Sequence, residues 1–297
     1  MARGEWGSTT ELIDQAAQIL RKESPMTIRQ LFYRLVSITA IENNRNDYQR
    51  VSTAMTKARN DGRIDFDWIV DRSRPEYSPN VFKNAAEYAN VVRRGYRKDY
   101  WRMQPRRVEV WSEKDTVIGS IEDLTDELGI TVRVMRGFPS TTKVFDLARA
   151  IASSEKSMTA LYLGDHDPSG RRIEIDLYER IHGYGAEFAI KRIAIHAADI
   201  AKFSLPPLRV KESDSRAAGF LRRYGNECVE LDALPPTELR RRIEQAVTAM
   251  LDRVLWHHAV MVEEKELASI QEIVARWPGV GEPSQPKTRQ DSKSRRA

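Results

Sequence analysis

Between Val108 and Gly164 the chain alternates strand and helix patterns, and this succession constrains the fold more than any other feature. Val108-Glu109-Val110-Trp111 reads as a strand leaving through Ser112-Glu113-Lys114-Asp115, and Thr116 to Leu128 as an amphipathic helix ending at Gly129. A strand at Thr131 to Met135, the loop Arg136 to Thr141, a helix from Thr142 to Ser153 and the apolar run Ala160-Leu161-Tyr162-Leu163-Gly164 follow. Right-handed crossovers lay such strands parallel with helices on both faces, and ligands of such sheets bind beyond the carboxyl ends of the strands. Glu113, Asp165 and Asp167 are all expected at that edge.

Asp165-His166-Asp167 closes the last strand and opens Pro168-Ser169-Gly170. Side chains one apart on a strand point to opposite faces, but in the turn beyond it two aspartates can converge on one ion. A divalent ion held by one or two carboxylates keeps positions open for phosphate oxygens, which suits phosphodiester chemistry. Asp-x-Asp before Pro and Gly is also ordinary turn chemistry, and both readings stand at this point.

Glu113 in Ser-Glu-Lys-Asp-Thr-Val-Ile, Gly137-Phe138-Pro139-Ser140-Thr141, and Asp165-x-Asp167-Pro168-x-Gly170 together resemble a Toprim domain. The chain resembles the type IIB topoisomerase (topoisomerase VI) A subunit and the related meiotic double-strand-break transesterase, most nearly their short stand-alone relatives in bacteria and phages. The resemblance implies that Glu113, Asp165 and Asp167 hold Mg²⁺ and that a tyrosine on an N-terminal winged helix is the nucleophile. It further implies a homodimer, in which the tyrosine of one subunit works with the metal site of the other. His166 and Ser169 depart from the family's usual residues, but neither is a metal carboxylate.

The N-terminal residues answer that demand. Ser8 to Lys22, Thr27 to Ser37 and Asp47 to Asn60 read as three helices, and Arg63 to Val70 as an alternating wing strand after Gly62. The third helix, with Gln49, Arg50, Lys57 and Arg59, is the expected major-groove element. The second carries Arg29-Gln30-Leu31-Phe32-Tyr33, which resembles the family's Arg-x-x-(Tyr/Phe)-Tyr motif and so implies Tyr33 as nucleophile, with Arg29 one turn away. At roughly 100° per residue, Tyr33 falls off the stripe of Ile28, Leu31, Phe32 and Leu35, on the polar side of the helix and outside the core. From position alone it is equally a surface tyrosine.

At 297 residues and 41% hydrophobic the chain can bury one or two cores. The expected organisation is α/β: a winged helix over 1–90, a basic linker over 91–106, a Rossmann-like, mostly parallel Toprim domain over 107–200, a helical extension over 201–280 and a disordered basic tail over 281–297. Thr237 to Leu255 reads as one long charged helix. Basic residues exceed acidic ones by only five, so a nucleic-acid partner is suggested by their clustering. Arg93, Arg94, Arg97, Lys98, Arg102, Arg106 and Arg107 alternate with Tyr96, Tyr100 and Trp101, fit to track a DNA backbone or to cover an apolar neighbour. A single cysteine, Cys228, excludes a disulfide framework, and no signal peptide or membrane-length apolar run is present, so a cytoplasmic protein is expected. There is no P-loop, and ATP-driven strand passage would need a separate ATPase subunit.

These readings converge on an Mg²⁺-dependent DNA-cleaving protein acting by tyrosine transesterification. A hydrolytic Toprim nuclease and a DNA-binding regulator without cleavage remain alternatives. So does a haloacid-dehalogenase-like phosphatase, whose nucleophile would be Asp165 and in which Glu113 would be idle.

Overall fold

A computed structural model describes residues 9–70, 79–211 and 214–277. Its contacts divide the chain into two compact units, each discontinuous in sequence: residues 1–75 with 104–252, and residues 76–103 with 253–297.

The first unit begins with α1 (Thr9–Glu23), α2 (Ile28–Ser37) and α3 (Arg45–Asn60), which pack pairwise. Their apolar stripes meet through Leu12, Leu20, Leu31, Leu35, Val51 and Met55, all nearly or fully buried. Thr27 starts α2 with a full capping box: its hydroxyl accepts the Gln30 amide at 3.2 Å, and the Gln30 side chain accepts the Thr27 amide at 2.8 Å. Asn44 caps α3 through the Asp47 amide. The wing strand expected over 63–70 does not form. Phe66–Trp68 is a single 3₁₀ turn and Ile69 makes one parallel bridge with Met26, because Phe66 turns outward, 57% exposed beneath the Arg59 guanidinium.

The second unit contains α4 (Ala85–Gly95), described below. The first unit resumes with β1 (Arg106–Ser112), α5 (Ile118–Glu127), β2 (Thr131–Val134), α6 (Thr141–Ala152), β3 (Ser157–Leu163), α7 (Pro168–Gly183) and β4 (Phe188–Ala194). The four strands form one parallel sheet in the order β2-β1-β3-β4, with Val110 opposite Leu161 and Ser112 opposite Leu163. This is an α/β, Rossmann-like architecture. Trp111, Ala160 and Tyr162 pack one face against Val144 and Ile151 of α6 and Ile173, Leu177 and Ile181 of α7. Val110, Leu161 and Leu163, alternating to the other face, are equally buried. Sequence periodicity located three of the four strands; β4 escaped it.

Beyond the sheet come α8 (Ala197–Lys202), the antiparallel pair β5 (Leu208–Arg209) and β6 (Glu227–Cys228), and α9 (Ala217–Tyr224) between them. Then α10 (Pro236–Thr248) lies on α5 and β4. The helix expected over 237–255 stops at Thr248, and a new one, α11 (Arg253–Ala275), begins after the break in the second unit.

In that second unit α4 packs on α11. Tyr100 and Trp101 set their rings against Trp256, the Tyr100 hydroxyl donates to Glu263 at 2.8 Å, and Lys98 pairs with Glu266 at 2.8 Å. Tyr100 and Trp101 are therefore packing residues. Among the described residues, no helix is long and apolar enough to cross a membrane. The basic tail expected over 281–297 lies outside them.

Candidate active site

Glu113 leaves β1 at its carboxyl end, its amide donating to the Leu163 carbonyl at 2.8 Å. Its Oε2 then accepts the Asp165 amide at 3.1 Å, tying two adjacent strand ends together. Two glycines make room for that carboxylate. A Cβ on Gly170 would lie 2.5 Å from the Asp165 carbonyl oxygen and 2.9 Å from Glu113 Oε2, and one on Gly164 would lie 2.9 Å from the same Oε2. Gly170 of Asp-x-Asp-Pro-x-Gly is thus required by close approach.

Asp167 caps α7, its Oδ1 accepting the Gly170 amide at 2.6 Å with Pro168 in the first turn. The turn-chemistry reading therefore holds for Asp167, and one of its oxygens remains outside that bond. Asp165 is 7% exposed; its Oδ1 accepts the Leu231 amide at 2.7 Å and its Oδ2 meets Lys114 Nζ at 2.9 Å. Arg192, unnoticed in the sequence, staples the turn from below by donating to the carbonyls of Gly164 at 2.6 Å, Asp165 at 3.1 Å and Gly170 at 3.1 Å.

His166 contributes through its backbone, which exchanges two hydrogen bonds with Val229 at 2.9 and 3.0 Å. That bridge draws Glu230-Leu231-Asp232 over the sheet edge. Lys114 Nζ consequently lies within 2.9 Å of Glu230 and 3.1 Å of Asp232 as well as beside Asp165, an ammonium among three carboxylates. Glu230 also accepts the Arg29 guanidinium, which stands 3.6 Å from Asp232. The site thus reaches from the sheet edge to α2.

Tyr33 is not on an open polar face. It is 4% exposed, edge-on to Phe32 at 5.3 Å, with Arg29 5.6 Å over its ring. A helical wheel considers one helix alone, and the polar side of α2 is covered by the 3₁₀ turn Leu231–Ala233 that follows Glu230. The same chain therefore brings Tyr33, Arg29, Glu230, Lys114 and Asp165 into one network. Tyr48, on α3, sits edge-on to Phe32 and lines a cavity of about 540 Å³ with Arg29, Ser52, Arg59, Asp115 and Thr116.

The electrostatics divide the acids. Burial, the neighbouring Asp165 and Asp167 push Glu113 up to about 7, and burial likewise lifts Asp165 to about 6 against the pull of Lys114. Burial also acts to raise Glu230, but Lys114 and Arg29 overcome it and hold that carboxylate down at about 2. The Tyr33 hydroxyl is pushed above its ordinary range, first by burial and then by Glu230.

Among the described residues, no three acids already stand as a common ligand set. The donor chemistry nonetheless fits a hard cation: Glu113, Asp165 and Asp167 offer carboxylate oxygens, and their mutual repulsion raises Glu113.

The residues expected on DNA fall in both units. On α3, Lys57 is exposed, Arg50 is partly covered and 4.0 Å from Asp47, and Arg59 lies over Phe66. In the other unit Arg94, Arg97 and Arg102 are exposed.

Glu230 and Asp232 are the functional candidates that sequence reading missed. Their signal was a second acid-x-acid pair, set before Leu234-Pro235-Pro236. Fold and site together define an α/β protein with an acid-rich centre at the carboxyl edge of a parallel sheet. No known protein family matches the chain, and no characterised protein matches it significantly.

Proposed function

We propose that this chain is a DNA-binding, Mg²⁺-dependent DNA-cleaving protein resembling the topoisomerase VI A subunit, its three N-terminal helices a domain of the winged-helix kind that lacks the expected wing strand over 63–70 and its sheet region a Toprim domain. One observation carries the reading: Arg29 and Tyr33, on one helix, are joined through Glu230 to Lys114 and Asp165 at the sheet edge. In the proposed reaction the Tyr33 oxygen forms a bond to phosphorus as the bond to the leaving deoxyribose oxygen breaks, giving a phosphotyrosyl link. Glu230, held ionised by Arg29 and Lys114, is too weak a base to take that proton and instead orients the hydroxyl, whose proton ends on the departing deoxyribose oxygen, while Arg29 and Lys114 face the phosphate's negative charge. Glu113, Asp165 and Asp167 would hold Mg²⁺, which when bound offsets charge on the phosphate. DNA, a second copy of the chain and, for any strand passage, a separate ATPase subunit are the proposed partners, although Tyr33 meets the acids of its own chain and the second copy is not needed to bring them together.

The hydrolytic alternative is favoured by one observation, the burial of Tyr33 with its proton firmly held. One experiment separates the two. Labelled supercoiled DNA and Mg²⁺ are incubated with the protein and quenched with denaturant. Protein covalently attached to DNA ends supports transesterification, cutting without attachment supports hydrolysis, and no cutting removes both.

A further inference from the structure

A groove of about 720 Å³ opens immediately beyond the Asp165–Asp167 turn, between α7 and α9. Pro168 begins its lining, and the Arg216 guanidinium, also in the lining, approaches Ser169 Oγ at 3.4 Å, so the groove starts where the acid-rich site ends. Four arginines line it, Arg171, Arg172, Arg216 and Arg223, against two acids, Glu174 and Glu179. Arg172 is neutralised by Glu179 at 2.8 Å, Arg171 is 3.4 Å from Glu174 and Arg216, exposed at the rim, is 3.7 Å from Asp214, which leaves Arg223 exposed there over Tyr224. Positive charge is therefore in excess.

The floor is aromatic. Phe220 and Tyr224 lie 5.1 Å apart, both within 5.1 Å of the buried His166 ring, and Tyr178 is 42% exposed on the opposite wall. Arg171 and Arg223 sit 4.7 and 5.4 Å over the Tyr224 ring. Arg171 Nε is buried with no hydrogen-bond partner, and burial together with Arg192 holds this guanidinium below its ordinary range. A donor left unmatched under an arginine-rich rim is what an anionic ligand would satisfy.

We propose that this groove binds a segment of single-stranded nucleic acid, its bases set against the exposed Tyr178 ring and its phosphates on Arg216 and Arg223. Stacking on side chains needs bases whose faces are free, which a duplex does not offer, and arginines beside aromatics supply the phosphate contacts of sequence-tolerant single-strand binding. Position supplies the rest: a strand crossing the acid-rich site continues into the groove. The proposal deepens the nucleic-acid reading above and rests on it for the class of ligand.

Gly219 allows a direct test. It lines the groove from α9, where an added Cβ meets nothing within 4 Å, so Gly219→Leu starts its side chain in open space and suits a helix better than glycine. Fluorescence anisotropy with labelled oligothymidylate, and with a duplex of equal length, is measured on the full chain without Mg²⁺. Gly219→Leu and the double variant Arg216→Gln with Arg223→Gln are each expected to weaken oligothymidylate binding about tenfold or more, with duplex binding within about twofold. Unchanged oligothymidylate affinity in both variants, equal losses on duplex and single strand, or a wild type that does not bind oligothymidylate would each overturn the proposal. None of these outcomes depends on cleavage, so loss of the groove and loss of the cleavage reading are seen separately.

Discussion

Two glutamates on one strand path, Glu109 midway along β1 and the half-buried Glu113 just past its carboxyl end, are treated oppositely. In mid-strand Glu109, 1% exposed, accepts from Arg133 at 2.6 and 3.1 Å, from Arg107 at 2.5 Å and from Trp111 Nε1 at 2.9 Å. Burial alone would raise it, yet Arg133 and Trp111 hold it below the ordinary carboxylate range. At the carboxyl end Glu113 receives one amide hydrogen bond, faces two more acids and is lifted to about 7. Loss of water acts to raise both and so identifies nothing. The difference is compensation: a neutralised buried acid holds structure together, whereas an uncompensated one beside other acids marks a place waiting for a cation or a proton.

The comparison breaks first at the chemistry. Asp165→Ala or Glu113→Ala is expected to lower Mg²⁺-dependent cleavage by about 10²-fold or more while DNA affinity stays near wild type, since affinity comes mainly from basic side chains. Cleavage unchanged in both would strip the carboxyl end of its special status. Tyr33→Phe should remove covalent adducts altogether and cost about 1 kcal/mol or less in folding, because only a hydroxyl is lost. Persisting adducts would transfer the role to another tyrosine, Tyr48 first.

The next effect is on stability. Glu109→Ala leaves Arg107 and Arg133 without their acid and should destabilise the fold by about 3–5 kcal/mol in urea denaturation, with no change in metal response.

Glu113→Gln should act in the reverse sense. Glu113 ionises near 4.5 when unfolded and at about 7 when folded, so the folded chain binds more protons between those values and its stability falls as pH rises through them. In metal-free buffer the glutamine variant should lose part of that decline and, at pH 7 to 8, be roughly 1–3 kcal/mol more stable than wild type. Parallel pH profiles for the two proteins would contradict the assignment.

The smallest effect concerns the exposed arginines. Neutralising Arg94, Arg97 and Arg102 together should flatten the salt dependence of DNA binding by about one unit of slope per lost contact and leave stability unchanged. A wild-type slope would place these residues off the DNA.

The carboxyl end was legible in the sequence because strand periodicity and turn residues are local signals, and both place Glu113, Asp165 and Asp167 where strands stop. Glu230 and Asp232 were not, because what delivers them is a backbone bridge between His166 and Val229, and no local pattern announces a pairing across that distance. Tyr33 was placed on the correct helix but the wrong environment, since its cover comes from Leu231–Ala233. The wing strand failed for a related reason: its alternation counted Phe66 as inward, whereas an arginine from α3 holds it at the surface. Local order was readable, and contacts between distant segments were not.

Arg29 finds its acid 201 residues further along the chain. At a synthesis rate of about 5–20 residues per second, α2 leaves the ribosome roughly 10–40 seconds before Glu230 exists. Throughout that interval the nascent chain has its tyrosine helix, and later the sheet region it meets through Gln30 and Ser120, but not the acid that links Arg29 to Lys114. The enclosing acids arrive after both elements they bridge, so a fragment that stops short of Val229 lacks the carboxylate that joins Arg29 to Lys114.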